Sequence, residues 1–148
     1  MASGSTLVSA RISGAADTSS DLDLYLFNCT TGTCVQRAAG ETASSNEFVS
    51  SLNPVPGLWK VVVSPYAVPA GSTAFDYQDT IANLAFGSVS VTDANALRVA
   101  GSSWTVPAVI TAKVAPATGR VLLGTVQVRT DGNVLVGSGD VIVQNVTP

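Results

Sequence analysis

The chain of 148 residues contains no histidine. A Ser-His-Asp or Cys-His catalytic relay therefore cannot be assembled within it, and neither can a zinc site with imidazole ligands. Charge is scarce too: 11% of residues are Asp, Glu, Lys or Arg, against about 25% in an ordinary soluble domain. The surface must then be covered by Ser, Thr, Asn, Gln and Gly, a composition that suits an extracellular β-protein. The basic residues Arg11, Arg37, Lys60, Arg98, Lys113, Arg120 and Arg129 are scattered. They form no stripe that would neutralise a phosphate backbone or an anionic membrane, so neither nucleic acid nor membrane is an expected partner. No apolar run approaches the roughly 20 residues needed to span a bilayer. Residues 1–6 lack the charged and apolar regions of a secretory leader, which is expected to lie upstream in a longer precursor.

Cysteine is nearly absent, but its two occurrences are informative. Cys29 and Cys34 flank Thr30-Thr31-Gly32-Thr33. Opposed residues in an antiparallel hairpin come close enough for a disulfide, and closing so short a loop contributes roughly 2 kcal/mol on the entropy model. The competing reading is a pair of metal ligands, but no histidine or third cysteine completes a tetrahedral site. A disulfide implies an oxidising compartment, and the expected location is extracellular.

What is abundant is strand signal. In 21–27, Leu22, Leu24 and Leu26 fall on one face and Asp21, Asp23, Tyr25 and Phe27 on the other. In 6–13, Val8, Ala10 and Ile12 alternate with Leu7, Ser9 and Arg11. Residues 58–63 place Trp59, Val61 and Val63 together and read as a central strand buried on both sides. Further strands are expected at 35–38, 47–52, 74–77, 88–92, 104–114, 121–130, 134–136 and 140–146, with a single helical turn near 80–86. Asp131-Gly132 is a strong hairpin signal. About ten strands with almost no helix point to an all-β sandwich. The expected division is a β-sandwich over 1–92, followed by a small β-rich extension over 93–148, fibronectin III-like or a minimal sandwich.

Candidate chemistry is thin. Asp17, Asp21 and Asp23, with Glu47 and turn carbonyls, could supply oxygen ligands to calcium; the alternative is that these acids cap turns and protect a strand edge. Asp76 and Asp79 lie close in sequence beside Tyr77, but glycoside hydrolysis needs two acids facing a cleft, and a loop acid pair is more often solvated than catalytic. Tyr66, on a proline-flanked loop, and Tyr77 are the aromatics best suited to grip a ligand surface, whereas Trp59 reads as core. Asn28-Cys29-Thr30 and Asn145-Val146-Thr147 match the glycosylation acceptor pattern. No catalytic residue is expected and no cofactor is required.

Three segments together carry a resemblance: Asp21-Leu22-Asp23-Leu24-Tyr25-Leu26, Glu47-Phe48-Val49, and Asn53-Pro54 with Pro56-Gly57-Leu58-Trp59-Lys60-Val61-Val62-Val63. They resemble the bacterial pre-peptidase C-terminal domain, in the version that follows the catalytic domain of secreted subtilisin-like serine proteases. Residues 88–146, with Val89-Ser90-Val91-Thr92 and Leu122-Leu123-Gly124-Thr125-Val126, look like the β-rich tail of actinobacterial members. The resemblance implies that residues 1–92 form a jelly-roll-like β-sandwich, a non-catalytic accessory domain that supports folding or stability, or positions an insoluble protein or polysaccharide substrate. Its partner would be the upstream protease domain. It also implies calcium near Asp21 and Asp23, although the full ligand set is not matched. A free-standing extracellular adhesion module for carbohydrate or matrix protein is the alternative.

Overall fold

The computed structural model describes residues 1–146. The described residues form strands and no helix: β1 (Ser5–Ser13), β2 (Asp21–Asn28), β3 (Val35–Gly40), β4 (Glu47–Leu52), β5 (Trp59–Ala67), β6 (Asp76–Asn83), β7 (Gly87–Val91), β8 (Ala108–Ala112), β9 (Leu122–Arg129) and β10 (Leu135–Val143). All pairings are antiparallel. The chain divides into two compact units, Met1–Asn83 and Leu84–Pro148.

The first unit is a sandwich of two three-stranded sheets, β4-β1-β6 and β3-β2-β5. Apart from the β2–β3 hairpin, successive strands alternate between the sheets, in keeping with the sandwich the strand pattern suggests. The period-2 pattern sets which face meets the other sheet. Val8, Ala10 and Ile12 from β1, Leu22, Leu24 and Leu26 from β2, and Val49 from β4 form the buried core. Trp59, Val61 and Val63 pack against it partly buried. Each fully buried Leu or Ile contributes about 1.5–3 kcal/mol relative to exposure.

β5 is an edge strand, not the doubly buried central strand its apolar run suggests. β2 takes the centre, pairing Tyr25 with Ala39 on one side and Val62 on the other. Edge position also explains why β5 runs through Pro65 to Ala67: a residue with no N–H is tolerated where no outer ladder exists. Tyr66 therefore sits on a strand and not on a loop. Likewise, 80–83 continue β6 in extended form, because β1 supplies a ladder from Ser13↔Asp76 to Ser5↔Asn83.

Cys29 and Cys34 are disulfide-bonded, with an S–S distance of 2.04 Å. They close the β2–β3 turn, where Gly32 takes a positive φ and donates to the Cys29 carbonyl. Asn28, of the first acceptor pattern, is buried, and its Oδ1 accepts the Thr30 N–H at 2.9 Å. The second acceptor pattern includes Thr147, outside the described residues.

The second unit consists of two ribbons, β7-β8 and β10-β9. Strand 87–91, which the sequence places with the first block, pairs with β8 here. Residues 135–143 form one bulged strand where two were expected, with the register shift between Leu135 and Gly137. The β9–β10 turn centres on Asp131-Gly132, with Asn133 at positive φ. Gly124 lies under the Val89 side chain, where a Cβ would collide with it. Arg98 pairs with Asp93 at 2.7 Å and stacks over Trp104 at 5.1 Å. Among the described residues of this unit, none is buried.

Candidate functional site

The topology gathers the sequence candidates at one end of the first unit. Ile12, near the end of β1, lies opposite both Glu47 and Tyr77. Asp21 opens β2 opposite Ala67, next to Tyr66, and Asp23 lies opposite Ser64. Loops 14–20, 41–46 and 68–75 close this end. They are cross-linked by hydrogen bonds: Ala16 N–H to Ala74 O at 2.9 Å, Asp17 N–H to Thr73 Oγ1 at 3.0 Å, and Ser45 Oγ to Ser20 O at 2.5 Å.

Each acid has a separate task. Asp17 accepts from Ser19 N–H and Oγ, from Ser20 Oγ, and from Ala70 N–H. The Ser19 hydroxyl is the main reason its carboxyl is held below the ordinary value of 3.8. Glu47 is buried and accepts from the Thr42 N–H at 2.8 Å and from the Thr42 hydroxyl. It fills space above Gly40, where a Cβ would collide with its carboxylate. Asp23, also buried, faces the Tyr25 hydroxyl at 3.1 Å, which lies 2.7 Å from Glu41 Oε1. The hydrogen bond to Glu41, then desolvation and Asp23, push the Tyr25 phenol above its ordinary value of 10.0. Asp21 keeps one oxygen, Oδ1, buried without a hydrogen-bond partner.

These acids form separate caps, not a shared cage. Among the described residues no three His, Cys, Asp or Glu side chains are grouped to hold a metal ion. Glu41 was missed by sequence reasoning. Its role depends on the Tyr25↔Ala39 register, which brings together residues far apart in the chain.

Beside the acids lies an open groove of about 510 Å³, lined by Leu22, Val63, Pro65, Val68, Thr73 and Phe75 among others. Its lining is mostly apolar, with Ser72 and Thr73 adding hydroxyls. Tyr66, next to Pro65, is 75% exposed, and Tyr77 is 47% exposed. Trp59 serves the fold: it packs on the core and donates its indole N–H to Val55 O at 2.9 Å. Comparison with protein-family models, curated proteins and solved structures finds no match to this chain.

Proposed function

We propose that the chain is a non-catalytic accessory domain of a secreted subtilisin-like serine protease. It would follow the catalytic domain and hold insoluble protein or polysaccharide substrate at the loop end of its sandwich. The observation that carries this reading is the open groove at that end, framed by loops tied to one another, with the exposed Tyr66 next in the chain to the lining residue Pro65. Exposed aromatic rings on a fixed frame offer contact area to a polymer at little entropic cost. The disulfide supports an extracellular location. Among the described residues no helix is long and apolar enough to cross a membrane.

Retention of the purified chain on collagen, keratin, cellulose and chitin particles tests the binding role. Retention on at least one, weakened by Tyr66→Ala with the melting temperature unchanged, is the expected result. No retention on any of the four overturns substrate positioning. The link to a protease is tested by the parent gene. Asp, His and Ser motifs of a subtilisin-like catalytic domain should precede this segment, and their absence would favour the adhesion-module alternative.

A further inference from the structure

Six strands that form sheet edges carry a charge: Arg37 on β3, Glu47 on β4, Lys60 on β5, Asp76 and Asp79 on β6, Arg129 on β9 and Asp140 on β10. Charges on edge strands are a common defence against edge-to-edge pairing. β7 and β8 carry none, and β7 is packed through Val89 on Gly124 of β9. β8, Ala-Val-Ile-Thr-Ala, pairs with β7 along one edge only. Its Val109 is 62% exposed and its Ile110 50%.

The hydrogen-bond phase shows which groups are open. Lys113 N–H donates to Phe86 O, and Pro107 O accepts from Thr92 N–H. In an antiparallel ladder the N–H and C=O of one residue point the same way, and successive residues alternate. Residues 107, 109, 111 and 113 therefore face β7. Ala108, Ile110 and Ala112 direct their N–H and C=O groups to the unpaired edge.

We propose that this edge is a homodimer interface, in which β8 pairs antiparallel with β8 of a second copy about a two-fold axis at Ile110. The occupant follows from the strand itself. Ile110 would meet Ile110, Ala108 would meet Ala112, and Val109 would meet Thr111, so large, small and β-branched residues each find a fitting counterpart. Just outside, Lys113 would meet Pro107, so no like charges oppose one another. The three outward-facing residues are in phase for this axis, because each would exchange both backbone bonds with its counterpart. A two-stranded ribbon is marginal in water, whereas the four-stranded order β7-β8-β8-β7 is not. A two-fold pairing of this kind closes on itself and gives dimers, not fibres.

Sedimentation velocity over a wide concentration range tests the proposal. A reversible monomer–dimer equilibrium is expected. Ile110→Lys sets two ammonium groups opposite each other across the axis and should weaken the dimer at least tenfold, with the far-ultraviolet spectrum retained. Ile110→Cys gives an independent readout. Opposed Cα atoms in a hydrogen-bonded pair lie about 5.5 Å apart, within disulfide reach, so mild oxidation should cross-link this variant into dimers. Val109→Cys faces Thr111 and should cross-link far less. A chain that stays monomeric throughout, a dimer indifferent to Ile110→Lys, open-ended polymers, or equal cross-linking of the two cysteine variants would each overturn it.

Discussion

The Tyr25 hydroxyl lies 2.7 Å from Glu41 Oε1, fastening the outer face of β2 to the residue that follows β3. Asp23 Oδ2 waits 3.1 Å from the same hydroxyl, so one proton serves two carboxylates. Because the raised phenol favours the protonated form in the folded state, its contribution to stability is fully present below the ordinary value of 10.0. It is lost as pH rises through the higher folded value. Spectroscopic titration of tyrosinate should show one of the three tyrosines ionising late or only on unfolding. Tyr25→Phe should remove that late step and leave the other two unchanged.

Glu47 and Gly40 should be strongly coupled. Glu47→Ala leaves the Thr42 N–H without its acceptor, at a cost of about 1–3 kcal/mol. Gly40→Ala drives a methyl into the Glu47 carboxylate. Combined, the two should cost less than their sum, since the alanine at 47 makes room for the one at 40. Denaturant unfolding of the double-mutant cycle measures the coupling, and additivity would show that the carboxylate swings aside without cost.

Burial separates two leucines that sequence composition treats alike. Leu24 is fully buried between the sheets, and Leu97 is 98% exposed. Leu24→Ala should destabilise by about 2–5 kcal/mol, whereas Leu97→Ala should stay within about 0.5 kcal/mol of the parent. Thermal melts of the two variants check this directly.

Calcium should leave the melting temperature unchanged, and calorimetric titration should give no binding heat. Asp17, Asp23 and Glu47 already serve protein donors or face a protein hydroxyl. A calcium-dependent rise in melting temperature that disappears in Asp21→Asn would show instead that the unpartnered Asp21 Oδ1 contributes to a cation site.

The sheet faces were legible because alternation is local. Val8, Ala10 and Ile12, and Leu22, Leu24 and Leu26, fill the core as their spacing indicates. The Cys29–Cys34 loop was legible for the same reason. Strand order was not. The apolar run from Trp59 to Val63 reads as central, yet the centre went to β2, whose outer face carries Asp23 and Tyr25. Nothing in Val61-Val62-Val63 records which strand lies beside it. Likewise, Asp17, Asp23 and Glu47 were recognisable as a cluster of acids, but their individual partners depend on loop hydrogen bonds and cross-strand register. Residues 87–91 show the same limit, since a short Ser/Val strand fits either neighbour until Ala108–Ala112 supplies the ladder.

The position of β1 also governs how quickly the first unit can form. Ala10 lies opposite Val49 on one side and Asp79 on the other. The earliest strand of the chain therefore has no neighbour until much later segments arrive. Only the β2–β3 hairpin can close locally, and the rest of the sandwich must bring distant segments together at full loop-closure cost. Folding of this unit should be a slow, high-contact-order reaction that starts from the disulfide-bearing hairpin and finishes when β6 docks on β1.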